Sequence, residues 1–238
     1  MTALITLSHG SRHPGAEAGV RRLTRAAGEL LDVAAVAAHL DFTEPSLPDA
    51  ARALAECGHR AAVVVPLLFT HAFHARHDVP AALAEARHAS GLDLRLADGL
   101  GTGDLVAEVL TARLALDAPD GAHVVLYPVG TSDAAAAAGV EKLATNVGER
   151  SGHSIQVVPA TGGRGSGGAG VLEAATGHDA VHLLPLFVTD GLLLDQVTGQ
   201  LGRMQAATGT RLTSSPPLTT DLARVVARRH SAVTPALT

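Results

Sequence analysis

The chain has 238 residues, 47% of them hydrophobic and 17% charged, with a formal net charge of −5. That is apolar material for one large domain or two small ones, and no basic excess or polybasic run marks a nucleic-acid or membrane-surface partner. No apolar stretch approaches the ~20 residues of a membrane span, and the chain enters its first strand without a basic leader, which points to a cytoplasmic address. Cys57 stands alone, so a disulfide within these residues and a Cys-rich zinc site are excluded. Ahead of Gly58 it reads as a small packing residue. Aromatic residues are 2%, without Trp and with one Tyr, which argues against stacking platforms for bases or sugars.

In chain order, apolar runs predict strands over 3–8, 33–41, 61–67 and 92–97. Ala/Leu/Arg/Glu stretches predict helices over 15–31, 47–57, 79–90 and 103–116 between and after them. The second half repeats the alternation, with strands over 122–128, 155–160, 180–187 and near 211–213. Its helices are predicted over 133–150, 168–177, 192–206 and 219–230. Strict alternation of strand and helix predicts α/β architecture, parallel sheets with right-handed crossovers.

The two halves match in detail. Val63-Val64-Val65-Pro66-Leu67 recurs as His182-Leu183-Leu184-Pro185-Leu186, with the prolines 119 residues apart. Gly10-Ser11 recurs as Gly130-Thr131 at an offset of 120, and Leu100 with Asp104-Leu105 as Leu218 with Asp221-Leu222. Ordered matches at nearly one offset indicate a duplication: two tandem repeats of a four-stranded parallel sheet, with a cleft between them. The turn-rich stretch Asp117-Ala118-Pro119-Asp120-Gly121 joins residues 1–117 to residues 121–238.

Three polar residues lie just past the carboxyl ends of predicted strands, where open α/β sheets bind ligands. His9 follows the first strand in Ser8-His9-Gly10-Ser11-Arg12, and Gly10 and Ser11 permit a sharp turn that keeps the ring accessible. Glu44 follows the second strand, ahead of Pro45. A helix-start carboxylate would explain it equally, and Asp49 is placed for that role. His74 follows the third strand within His71-x-x-His74-x-x-His77. Asp78 is a natural N-cap and Pro80 suits a first turn. The histidines therefore precede the helix and do not form a helical zinc motif, and His71 and His77 read as solvated loop residues. His39, His59, His88 and His230 fall at predicted helix ends and loops and take no role. The run Gly162-Gly163-Arg164-Gly165-Ser166-Gly167-Gly168 lacks a phosphate-loop ending and reads as a loop over the cleft.

The duplication supplies an internal control. Val129 stands at the place of His9, Leu193 at that of His74, and the Gly162-Gly163-Arg164 region opposite Glu44. Residues needed only for folding would recur, so this comparison favours function for the three together. Two neutral imidazoles and a carboxylate make a mixed N/O set suited to Co²⁺, Fe²⁺, Ni²⁺ or Zn²⁺, with positions left open.

His9-Gly10-Ser11-Arg12, the Glu44-Pro45-Ser46-Leu47 turn and the Pro66-to-Pro80 segment carry a resemblance to the class II chelatases of the sirohydrochlorin chelatase family, in its long, two-repeat form. The chain departs from that family in having Ala72 where Gly is usual, and in the extra His71 and His77. The resemblance implies a lyase that inserts Co²⁺ or Fe²⁺, or Ni²⁺ in some members, into sirohydrochlorin for cobalamin or sirohaem synthesis. It implies His9 and His74 as metal carriers, one doubling as base, and Glu44 as third ligand or proton acceptor. Ser11, Arg12, Arg76 and Arg164 are candidates for meeting the carboxylates of an anionic tetrapyrrole. The metal is then a substrate, no cofactor is permanently bound, and the fused halves point to a monomer. A non-catalytic metal or tetrapyrrole carrier and a porphyrin ferrochelatase are the alternatives. A phosphohistidine phosphatase is set aside because Ser8 stands where Arg would precede the histidine.

Overall fold

The computed structural model describes residues 2–70 and 73–234, with the backbone alone for 73–77. Its order is β1 (Ala3–Ser8), α1 (Ala16–Leu31), β2 (Ala35–His39), α2 (Leu47–Glu56), β3 (Ala61–Pro66), α3 (Phe73–Ser90), β4 (Asp93–Leu96) and α4 (Asp104–Asp117). It continues with β5 (His123–Pro128), α5 (Ala134–Ser151), β6 (Ile155–Val157), α6 (Gly167–Ala175) and β7 (Ala180–Leu186). Then follow α7 (Leu192–Thr198), α8 (Leu201–Thr208), β8 (Arg211–Ser214), a 3-10 turn (Thr219–Leu222) and α9 (Ala223–Val233). The strands form two parallel four-stranded sheets, ordered β2-β1-β3-β4 and β6-β5-β7-β8. Leu4 pairs with Ala35 and Val124 with Ile155, so the duplication is kept in register at an offset of 120 on both strands.

Successive strand residues face opposite sides of a sheet. In the first unit Ala3, Ile5, Leu7, Ala62 and Val64 face a core completed by Leu47, Leu54, Val79 and Leu83 of α2 and α3. Thr6 is fully buried and meets the Thr24 hydroxyl, which in turn donates to the Val20 carbonyl. In the second unit Val125, Tyr127, Val181 and Leu183 pack with Val171, Leu194 and Met204.

The compact units are not the two sequence halves 1–117 and 121–238. One comprises the residues up to Gly101 with those from Thr219 onward, and the other Thr102–Leu218. The helix after each half's last strand is exchanged: α9 packs on α1 and β3, whereas α4 packs on α5. His230 of α9 reaches the Thr2 carbonyl and Arg229 the Leu100 carbonyl, both in the first unit.

Three expectations are corrected. α3 begins at Phe73, ahead of Asp78, and carries Pro80 inside it, so His74 and His77 are helical and not in a preceding loop. Pro80 forgoes the N–H bond to the preceding turn and crowds that turn's carbonyl, a local cost across which the helix continues. The predicted helix 192–206 divides into α7 and α8 around Gly199, a weak helix former. Cys57, expected to pack, is exposed at the end of α2. His71 lies outside the described residues. No described helix is long and apolar enough to cross a membrane.

Candidate functional site

With strand order β2-β1-β3, the connections from β1 and β3 depart to opposite sides. The carboxyl edge between these strands is therefore a topological switch point, where such sheets open a crevice. His9 leaves β1 there, and the segment carrying His74 leaves β3. Glu44 lies in the loop after β2, the other neighbour of β1. Thus the three candidates follow three adjacent strands. His74 and Arg76 stand in the first turn of α3, and their side chains lie outside the described residues.

The His9 turn is tightly specified. Leu40 and Asp41 donate backbone N–H groups to the Ser8 and His9 carbonyls, extending the ladder beyond β2. That close approach dictates glycine at position 10. Its φ is +92°, and a Cβ there would sit 1.6 Å from the Asp41 carbonyl oxygen. Ser11 is bound twice to Thr43, whose hydroxyl donates to the Ser11 carbonyl at 3.1 Å and accepts the Ser11 N–H at 3.2 Å. Ser11 thus serves the turn itself, in addition to any contact with a ligand.

Phe42, just past the predicted strand 33–41, is a site feature the sequence reasoning passed over. It is 50% exposed and has φ +60°, a conformation unfavourable for a bulky side chain. Its ring meets His9 edge-on at 5.9 Å, and the Arg12 guanidinium lies 4.6 Å above it. An exposed aromatic face, an imidazole and a guanidinium are therefore contiguous. This arrangement suits a flat, carboxylated ligand.

Glu44 is exposed, and one carboxylate oxygen accepts the Ser46 N–H at 3.1 Å. The α2 cap is made by other groups. Ser46 Oγ accepts the Asp49 N–H, and the Asp49 carboxylate, held below its usual pKa chiefly by its bond to Ser46, supplies the charge of the first turn. Asp49 thus performs the helix-start role that was the alternative reading of Glu44.

Beneath His9 lies a second residue that sequence reasoning missed. His39 ends β2, buried to 3% exposure, with Nδ1 2.7 Å from Ser8 Oγ. Burial lowers its pKa, while the fields of Glu17 and Glu44 oppose that shift. Its signal was the repeat offset, which sets it opposite Pro159.

Arg164 is exposed in the glycine-rich loop of the second unit. The glycines there have a structural account: a Cβ on Gly170 would meet the Gly165 carbonyl at 2.2 Å. A separate histidine group marks the amino edge of the second sheet. His123 and His178 stack at 4.3 Å with planes 5° apart, beside a hollow of about 310 Å³ that His153 and Asp120 also line. Imidazole lone pairs lie in the ring plane, so nearly parallel rings do not aim at one ion. Among the described residues no group of three His, Cys, Asp or Glu is arranged to hold a metal.

Duplicated parallel sheets with candidate ligands on one carboxyl edge define a two-unit, doubly wound α/β protein. Residues 3–116 match the CbiX family model, a span that contains His9, Glu44 and His74. The chain is 35% identical over 75 residues to the sirohydrochlorin cobaltochelatase of Sulfurisphaera tokodaii, covering 32% of this chain and 60% of that protein. It is 31% identical over 81 residues to the Methanopyrus kandleri enzyme of the same name, covering 34% and 57%. The chain therefore spans somewhat under two thirds of the length of these curated relatives. SirB from Bacillus subtilis, solved with Fe³⁺, has a TM-score of 0.79 at 20% identity over 96% of this chain and 94% of that one. CbiX, described as the terminal enzyme of sirohaem biosynthesis in denitrifying bacteria, has a TM-score of 0.71 at 17% identity, over 99% and 100%. Those two likenesses show a shared fold. The match to the CbiX family model covers just under half of the chain, so the likeness to that family is one of the N-terminal half.

Proposed function

We propose that the protein is a metal chelatase that inserts a divalent ion, Co²⁺ foremost, into sirohydrochlorin. The observation that carries this reading is the family match over residues 3–116, because that span holds all three candidates on adjacent strand ends. The cobaltochelatase names of the curated relatives support cobalt, and Fe²⁺ and Ni²⁺ are the competing ions.

Insertion must deliver a loosely held ion and remove two pyrrole protons. Neutral imidazoles at His9 and His74 hold the ion, leaving positions for the macrocycle nitrogens. Glu44, exposed and with one oxygen committed to Ser46, is the third ligand or the proton acceptor. One imidazole takes up a second proton as the ion leaves it. Phe42 offers its face to the macrocycle. Arg12 lies over that ring, placed to meet a carboxylate, and Arg76 of the same unit supplies further positive charge.

The test is a spectrophotometric assay of sirohydrochlorin against Co²⁺, Fe²⁺, Ni²⁺ and Zn²⁺. The reading expects metallation of macrocycle in excess over protein, fastest with Co²⁺. Binding that stops at one equivalent would identify a carrier. Preference for a hydrophobic porphyrin would identify a ferrochelatase.

A further inference from the structure

Ser8 closes β1 and His39 closes β2, and the two are register partners across the sheet. Ser8 Oγ lies 2.7 Å from His39 Nδ1 and accepts the Gly10 N–H at 3.2 Å. Whichever group carries the shared proton, the hydroxyl is held between a ring on the neighbouring strand and a backbone N–H. Ser8 and Gly10 flank His9, so this network grips the chain on both sides of that residue. Among the described residues His39 Nε2 is buried without a hydrogen-bond partner, an arrangement that a core built only for stability avoids.

The second unit shows that the turn does not need this pair. At the offset of 120, Ser8 and His39 correspond to Pro128 and Pro159. There Ala160 donates to the Pro128 carbonyl as Leu40 does to Ser8, and Thr161 to Val129 as Asp41 does to His9. Gly130 turns at φ +103° where Gly10 turns at +92°. The same backbone forms with prolines in place of the Ser8–His39 pair, steadied instead by the Thr161 hydroxyl, which donates to the Val129 carbonyl at 2.8 Å. His182 provides the contrast of a histidine built into the core. It is fully buried, with Nδ1 2.8 Å from Thr213 Oγ1 and Nε2 2.9 Å from Ser215 Oγ, so both nitrogens are satisfied. The second unit thus lacks His9 and the polar pair beneath it together.

We propose that His39 is a positioning residue for metal insertion, acting through Ser8 to fix the chain on either side of His9, so that a turn the fold builds in any case keeps the His9 imidazole aimed at its ion. This rests on the chelatase reading of the site. Outer hydrogen bonds that orient a metal ligand typically change metal affinity or activity 10- to 100-fold when removed.

The experiment compares wild type with His39→Phe, Ser8→Ala and His39→Asn in the full chain. Co²⁺ affinity is measured by titration with the metal alone, kcat and KM by insertion into sirohydrochlorin, and folding by thermal melting. His39→Phe and Ser8→Ala should weaken Co²⁺ binding and lower kcat by on the order of tenfold, with KM for the macrocycle nearly unchanged. His39→Phe should melt no lower than wild type, since it removes a buried unsatisfied nitrogen. His39→Asn, which returns a polar atom near Nδ1, should recover most of the loss. If His39→Phe misfolds, Ser8→Ala carries the comparison. Folded variants with Co²⁺ affinity and kcat within twofold of wild type would overturn the proposal. So would losses that track melting temperature and are not recovered by Asn. A wild type that binds Co²⁺ without inserting it would sink the chelatase reading alone, because the affinity comparison still tests the role of His39.

Discussion

The turns at Gly10 and Gly130 are the same backbone solution reached twice, and they differ in almost every side chain. Both glycines have positive φ, and at both a Cβ would collide with the carbonyl of the loop alongside, at 1.6 Å from Asp41 and 2.5 Å from Thr161. Around the first stand Ser8, His9, His39 and Phe42; the corresponding residues around the second include Pro128, Val129 and Pro159. What both copies keep belongs to the fold. What one copy keeps is free of that obligation, and in the first copy it is polar apart from Phe42 and gathered on the edge where parallel sheets bind ligands.

Removing a proposed metal carrier should have the largest effect. His9→Ala and His74→Ala should lower the insertion rate by at least about a hundredfold, beyond the 10- to 100-fold typical of an outer-shell partner. Melting should stay close to wild type, because the second unit forms its turn with Val129. Val129→His with Leu193→His should create no second activity, as no carboxylate occupies the place of Glu44. Insertion assays paired with melting curves check this, and activity from the second unit would break the comparison.

Next come the glycines, where both turns should fail alike. Gly10→Ala and Gly130→Ala should each destabilise by more than about 3 kcal/mol, read from denaturant midpoints. If either is tolerated within about 1 kcal/mol, the close approach is not a requirement of the fold.

Phe42 should matter to substrate more than to stability. Phe42→Ala should raise KM for sirohydrochlorin several-fold while relieving the φ +60° backbone only partly. The Arg12 contact it loses is worth about 0.5–1 kcal/mol at an exposed site. A fall in kcat with KM unchanged would instead place Phe42 in the handling of the metal through His9.

Acid should weaken both units by a smaller amount. Burial lowers the pKa of His39 and His230 in the first unit and of His123 and His182 in the second. For His123 the neighbouring His178 adds to that lowering, and the Gln156 side chain opposes it. The unfolded chain takes up protons near ~6.5, before these folded sites do. Stability is therefore full above that pH and declines as pH falls below it. Denaturant melts across pH 7.5 to 5.5 measure this, and a midpoint that rises with acid would contradict it.

Much of the fold was legible because parallel strands buried on both faces read as continuous apolar runs, and the repeat offset cross-checked each one. The errors have local causes. Asp78 and Pro80 imitate a helix start, yet α3 begins at Phe73. The exchange of α4 and α9 between units left no mark, since amphipathic periodicity identifies a helix without naming its packing partner. Of the site, the three strand-end candidates were readable from placement alone. Phe42 was hidden by its apolar character next to a strand predicted over 33–41, which in the structure stops at His39. His39 was hidden because a histidine ending a strand looks like any other until its register partner, Ser8, is known.

The central claim is that the polar set around His9 performs turnover on a turn the fold would build without it. The most direct test replaces His9 with the residue the second unit carries there, His9→Val, and counts equivalents of sirohydrochlorin metallated by Co²⁺ with macrocycle in excess. The account predicts many equivalents per wild-type chain, and no more than one for His9→Val at an unchanged melting temperature. Continued turnover by folded His9→Val would contradict it.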